Sequence, residues 1–342
     1  MRLLAVDVGT GTQDILLWEE DRAMENCFQM IMPSPTAMAA AKIRAAAEEG
    51  RGVHLLGNLQ GGGPVTRAVR EHLRGGLPVT ATPRAAKSFH DDPEVVRSWG
   101  VEFAAAAPAG AVPVRLGDVD REVLERAFGA FGVELPERFA VAVQDHGEAV
   151  AESNRRVRFR YWQRFMDEGG ALSSLLYEEP PERLTRMRAV REDLPGAWVM
   201  DTGPAAFLGA LEDPQVSEWA EQGVLLINAG NSHTLLAVVR GERVLALAEH
   251  HTGRLDPVGL SRTQERLLAG ELSFEEVYDS GGHGVAYAPD YRPRSDLPAA
   301  VTGPRRALGV DGRRHLAVPH GDMMLAGCYG LVRAVRLREG RG

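Results

Sequence analysis

LLAVDVGTGTQDILLW, residues Leu3 to Trp18, reads as a strand, a tight turn and a second strand. The turn is Asp7-Val8-Gly9-Thr10-Gly11-Thr12. Two glycines let the backbone approach a ligand closely and leave amide N–H groups free to face it. Thr10 and Thr12 add hydroxyls, and Asp7 stands where the first strand opens into the turn. This is a hairpin suited to a phosphate held with a divalent cation: the amides take the oxygens and the carboxylate orders the metal's water shell. An ordinary Gly-rich hairpin turn gives the same pattern, so this stretch alone leaves both readings open.

A second copy bears on the choice. VLLINAGNSHTLLAVV, Val224 to Val239, repeats the plan, with Asn228-Ala229-Gly230-Asn231-Ser232-His233-Thr234 as its turn. Asp7-x-Gly9 falls on Asn228-x-Gly230. Each copy opens one half of the chain, which predicts a duplicated fold with a ligand between the two turns.

The pair resembles the phosphate motifs of the actin, sugar-kinase and heat-shock-chaperone ATPase superfamily, the first in Asp7-x-Gly9-Thr10-x-Thr12 and the second in Asn228-x-Gly230-x-x-x-Thr234. The resemblance implies an α/β protein of two ribonuclease-H-like domains, 1–222 and 223–342, with a nucleotide cleft between them. It implies ATP and Mg²⁺ as cofactors. Gly9, Thr10, Gly11, Thr12, Asn228, Gly230, Asn231, Ser232 and Thr234 would hold the phosphates, with Asp7 at the metal. The superfamily's second motif usually begins with Asp, and here Asn228 stands in its place. Asn binds phosphate or water but holds no cation by charge, so the resemblance implies nucleotide binding more directly than turnover.

The chain has 342 residues, enough for two domains of ordinary size. Its net charge of −8 argues against nonspecific nucleic-acid binding and against an anionic membrane surface. No apolar run reaches the ~18 residues of a membrane span, and the N-terminus shows no signal-peptide pattern. Both point to the cytoplasm. Two cysteines, Cys27 and Cys328, cannot form a disulfide framework or a four-Cys metal site.

Along the chain, Thr36 to Glu49 reads as a helix and Val53 to Gly57 as a buried strand. The loop Asn58 to Pro64, with Gly61-Gly62-Gly63, is either a second anion loop or a flexible connection. His90-Asp91-Asp92 before Pro93 reads as a solvated helix start, and Ala104 to Val114 as a linker or surface loop. Phe139 to Gln144 is a strong strand running into Asp145-His146-Gly147-Glu148. Polar groups at a strand end in an α/β sheet are where ligands bind, so Asp145 and His146 are candidates for a base, and Asp145 also for a metal ligand. A helical insertion occupies about 152–195. Its Arg-rich start, Glu152 to Glu168, reads as an amphipathic helix on the surface or at a contact between two copies. Asp201-Thr202-Gly203 either lines the cleft or caps a helix.

In the second half, His250-His251 alternate across a strand, so at most one faces a given site. Gly281 to Gly284 reads as a mobile turn and Tyr287 to Pro298 as a loop. Gly303 in Thr302-Gly303-Pro304 loosely resembles the superfamily's adenosine turn. The last helix, Met323 to Arg338, carries Ala326, Gly327 and Gly330 for close packing. His-Gly occurs at 146–147, 283–284 and 320–321: three turns that either converge or lie apart as unrelated surface turns.

The order of these motifs resembles, across nearly the whole length, an uncharacterised family whose members are sometimes labelled pyruvate formate-lyase activating enzymes. Such activators carry a three-cysteine motif for an iron–sulfur cluster, and this chain has no CxxxCxxC. The cysteines do not support that label.

The leading expectation is therefore an ATP-binding phosphotransferase or ATPase acting on a small molecule, with Asp145 or His146 as base. The alternatives are a nucleotide-switched factor that remodels a partner enzyme, and a metal-dependent enzyme using Asp145, His146 and Glu148, with His320.

Overall fold

The computed structural model describes residues 1–150 and 152–341. The opening hairpin is β1 (Arg2–Val8) and β2 (Thr12–Glu19), followed by β3 (Phe28–Pro33). A separate set follows: β4 (Val53–Gly57), β5 (Val79–Ala81), β6 (Val101–Phe103) and β7 (Val112–Leu116). The chain then returns with β8 (Phe139–Val143) and β9 (Trp198–Met200). The second half holds β10 (Val224–Ala229), β11 (His233–Arg240), β12 (Arg243–His251), β13 (Gly284–Tyr287), β14 (Ala299–Thr302) and β15 (His315–Leu316).

The duplication is explicit in the sheets. The first runs β3-β2-β1-β8-β9 and the second β13-β12-β11-β10-β14-β15. Apart from the added edge strand β13, both follow one plan. Three antiparallel strands come first, then two strands parallel to the opening one, β1 with β8 and β10 with β14. This is the ribonuclease-H-like order, present twice.

Alternation along each strand sorts side chains between two cores. Leu3 and Ala5 of β1, with Val224 and Leu226 of β10, enter one core shared by both sheets. Leu4 and Val6 face a core belonging to the first sheet alone, and Leu225 and Ile227 one belonging to the second. Helices Thr202–Ala210 and Ala326–Arg338 fill the shared layer. They cross closely at glycines: a side chain on Gly209 would strike the Ala326 carbonyl, and one on Gly330 the Ala205 carbonyl. The small residues expected to pack a helix onto a sheet thus also pack helix against helix.

Between β3 and β8 sits an all-parallel sheet of order β6-β5-β4-β7, with its own core around Ile43, Leu55, Val69 and Val114. It corrects the reading of 104–114 as linker, because β7 begins at Val112. Strands β5 and β6 are three residues each, too short to show a period. The order reverses between β4 and β7, where open α/β sheets bind ligands at the strand ends. The Gly61-Gly62-Gly63 loop leaves β4 there and enters helix Pro64–Arg74.

Helices Asn154–Asp167 and Thr185–Asp193 separate β8 from β9. The first is more than a surface helix, since it buries Phe159, Trp162 and Phe165, and with them Arg158. Among the described residues, no helix is long and apolar enough to cross a membrane.

Candidate functional site

The two hairpin turns close in the same way. Gly9 N–H donates to the Thr12 carbonyl at 2.9 Å, and Gly230 N–H to the His233 carbonyl at 2.9 Å. Neither glycine has room for a side chain: a Cβ would lie 3.0 Å from Thr12 O and 2.8 Å from His233 O. The amides between them, of Thr10, Gly11, Asn231 and Ser232, have no acceptor among the described residues. The turns meet directly, Ser232 Oγ donating to Thr10 Oγ1 at 2.9 Å. Both line one cavity of about 550 Å³, a size typical of small-ligand sites.

Two carboxyls stand at its base. Asp7 and Asp14 face each other across the β1–β2 register. Thr202 Oγ1 donates to Asp7 Oδ1 at 2.6 Å, and burial pushes the Asp7 carboxyl up to about 7. Asp14 is buried, its Oδ1 without a partner among the described residues. Burial, then the Asp7 charge, push it up to about 8. Two carboxyls facing one another at a cavity offer the oxygen donors that a divalent cation takes.

Further in, buried Arg158 organises the seam between the halves. It donates to Asp201 Oδ2 at 2.8 Å and Oδ1 at 3.2 Å, to Glu249 Oε2 at 2.6 Å and to the Asp145 carbonyl at 2.9 Å. Gln144 donates to the other Glu249 oxygen at 2.8 Å. Arg186 forks onto Asp118 at 2.7 and 2.8 Å, and Asp118 accepts from Gly61 N–H at 3.2 Å. That chain ties the inserted sheet's glycine loop to the cleft. Sequence reading missed Arg158 and Arg186, as each sits in a run of arginines with nothing to single it out.

The structure sorts the expected residues. Gly9, Thr10, Thr12, Asn228, Gly230, Asn231, Ser232 and Gly303 line the cavity with Asp7. Gly11 lies against the Asn231 side chain. Thr234 does not line the cavity and is fully buried, its hydroxyl 3.0 Å from that of Thr252. Thr252 in turn donates to the Gly230 carbonyl at 2.8 Å, so this pair pins the turn from behind. Asp145 spends Oδ1 on Gly147 N–H at 2.9 Å, and Oδ2 on Arg186 and Met187 N–H at 2.9 and 3.0 Å. Those bonds make it a loop anchor and cap of helix Thr185–Asp193, although burial pushes its carboxyl up to about 6. Asp201 is both things expected of it: its carboxylate caps helix Thr202–Ala210 through Gly203 N–H and also lines the cleft. Asp92 caps helix Pro93–Ser98.

Glu148 pairs with Lys87 at 2.8 Å, and His320 lies near Glu25 and Glu212. Neither joins His146, so the metal site expected of these residues does not assemble. His146 Nε2 instead meets His283 Nε2 at 3.2 Å. Two of the three His-Gly turns therefore converge. The rings of His233 and His251 pack against them, with His233–His283 and His251–His283 centroids both 4.7 Å apart. His250 turns away to Ser280 Oγ at 3.2 Å, as strand alternation requires.

Residues 60–308, well over half the chain, match the family model described as "Putative pyruvate format-lyase activating enzyme (DUF1786)". No curated protein matches the chain. Among solved structures it is similar to a ROK hexokinase from Thermus thermophilus, at 12% identity over 100% of both chains with a TM-score of 0.33. It is similar to the ethanolamine utilization protein EutJ from Carboxydothermus hydrogenoformans, at 11% identity over 97% of this chain and 89% of that one, TM-score 0.35. A ROK family transcriptional regulator, a homologue of the E. coli MLC protein, matches at 10% identity and TM-score 0.28 over 71% of this chain, which spans only 38% of the regulator. These likenesses are too distant to carry a reaction or substrate across. Cys27 and Cys328, both buried and free, offer no three-thiolate cluster site.

Proposed function

The chain belongs to the DUF1786 family, and from that premise we propose that it binds a nucleoside triphosphate, with ATP and Mg²⁺ the leading candidates, between its two glycine turns. The observation that carries this is the hydroxyl contact from Ser232 to Thr10, which sets the acceptor-free amides of Thr10, Asn231 and Ser232 at one cavity, with that of Gly11 in the same turn. The amides of Thr10, Gly11, Asn231 and Ser232 suit phosphate oxygens. The carboxylates suit the cation. Asp7, Asp14, Asp91, Asp145, Glu152 and Asp201 line the cavity against Lys87, Arg158 and Arg186. Each of these three cations is already paired with a carboxylate. A polyphosphate therefore needs its own divalent counter-ions to enter. Asp7 and Asp14 would hold Mg²⁺, whose role is to neutralise phosphate charge; Gly303 and Pro304 would border the nucleoside.

On this reading the protein is a cytoplasmic phosphotransferase or ATPase that works by positioning. A small-molecule acceptor would lie toward the Gly61–Gly63 loop, which lines the same cavity. Bodies 1–222 and 223–342 would close over it and exclude water. Asp145 is poorly suited to act as base, its oxygens being held by amides. Calorimetry with ATP in the presence and absence of Mg²⁺ tests the reading: Mg²⁺-dependent binding that Asp7→Asn weakens at least tenfold is expected, and no binding to the wild type overturns it.

Asn228 favours a second reading, a nucleotide-switched factor acting on a partner enzyme. Where the first hairpin pairs Asp7 with Asp14, the second pairs Asn228 with Leu235. The cation site is therefore one-sided, and a slow hydrolase still serves as a switch. Tight ATP binding with negligible turnover, and a stoichiometric partner released by ATP, would distinguish it from a kinase.

A further inference from the structure

The histidines at the seam do no work in the nucleotide reading. His146 leaves the end of β8, His233 lies at the second hairpin turn, and His283 stands just before β13 beside Glu249 of β12. One ligand atom from each of these four residues lies within 4.8 Å of all the others. They come from separate elements and from both halves of the chain, so no local turn explains their meeting.

We propose that His146, His233, His283 and Glu249 bind one first-row transition-metal dication of the zinc type, clamping the two halves together. The site does not rest on the nucleotide reading. Its donors are of another class from the carboxylates Asp7 and Asp14.

Three observations carry it. First, the spacing fits. Zinc–imidazole bonds of ~2.0–2.1 Å at a tetrahedral angle put two ligand nitrogens ~3.3 Å apart, and His146 Nε2 and His283 Nε2 are 3.2 Å apart. Second, the His283 and His233 rings make no hydrogen bond outside the cluster among the described residues. His283 is 2% exposed, and its Nδ1, like that of His233, has no partner among the described residues. Third, the charge is right. Arg158 carries one positive charge against both Asp201 and Glu249, so the three together bring one net negative charge to a cation. Arg155, whose charge also reaches His283, is turned to the carbonyls of Tyr278 and Gly282.

Burial keeps the rings neutral as well: it holds His146 and His283 well below the ordinary histidine value and His233 at about 4. Neutral imidazole is the form that ligates. Imidazole with one carboxylate favours Zn²⁺ and its neighbours over Mg²⁺, which prefers oxygen ligands. Glu249 keeps its bonds to Arg158 and Gln144, which aim the carboxylate as partners of a metal ligand do.

The test is an equilibrium zinc titration of the full chain against a chromophoric chelator, with excess Mg²⁺ present. One zinc per chain is expected, with a rise in melting temperature, and Co²⁺ should give the visible absorption of a nitrogen-ligated tetrahedral centre. His283→Ala and His233→Ala should each weaken zinc by ~100-fold or more, while His250→Ala, facing Ser280, should leave it unchanged. If His283→Ala fails to fold, the more accessible His146→Ala gives the same readout. Absence of zinc uptake by the wild type overturns the proposal, with the rings then only sharing an N–H···N bond. So does a His250→Ala variant that loses zinc as His283→Ala does. Nucleotide calorimetry on the zinc-free protein keeps the two sites distinguishable.

Discussion

The carboxylate of Asp7 occupies the space that a side chain on Gly327 would need. The glycine of one helix and the acid of β1 are one device: the C-terminal helix comes close enough to shut Asp7 away from water on that side. Gly327→Ala must push Asp7 aside, so it should weaken Mg²⁺-nucleotide binding by calorimetry at least tenfold. Gly330→Ala meets the Ala205 carbonyl and should cost about 1–3 kcal/mol by denaturant unfolding.

Asp7 and Asp14 set a pH dependence. Their folded values, about 7 and about 8, lie above the ordinary 3.8. Below pH ~4 both are protonated in folded and unfolded chains alike. As pH climbs through the folded values, the folded protein must ionise buried carboxyls that the unfolded chain ionises freely, so their contribution is lost. Without divalent cations, stability should fall from pH 4 to pH 8. Asp14→Asn should melt close to the wild type at pH 4 and be the more stable by over ~1 kcal/mol at pH 8, a tenfold change in proton affinity being worth ~1.4 kcal/mol. Mg²⁺ should stabilise the wild type at pH 8 and the variant much less.

Arg158 holds two buried carboxylates at once. Arg158→Met leaves Asp201 and Glu249 buried without their cation and should cost about 3–5 kcal/mol. Arg158→Lys keeps the charge but loses the fork, and should fall between the two in chemical denaturation.

The hydroxyl contact between the turns is a smaller effect. Ser232→Ala and Thr10→Val each remove one side of a bond worth about 1 kcal/mol. Each should weaken Mg²⁺-ATP by about fivefold in calorimetry, with little change in melting temperature. The double variant should be no worse than either single variant if the bond is the whole coupling.

What the sequence determined by itself was local. Strand, glycine turn and strand lie within sixteen residues, so alternation and backbone freedom reveal both hairpins, and their repetition reveals the duplicated fold. Most residues proposed to hold phosphate line one cavity for the same reason; Gly11 does not, nor does Thr234, whose place behind the turn depends on Thr252 of a later segment. Tertiary structure alone decided the rest. Strands β5 and β6 are defined by parallel partners, not by a period of their own. Arg158 looks like its neighbours until Asp201 and Glu249 meet it. Two His-Gly turns converge while the third does not, because sheet order carries β8, β11, β12 and β13 to one seam, whereas His320, in the turn before the last helix, lies beside Glu25 and Glu212. Elements are written in short-range periodicity, whereas a site built from residues a hundred positions apart exists only once long-range pairing has placed them.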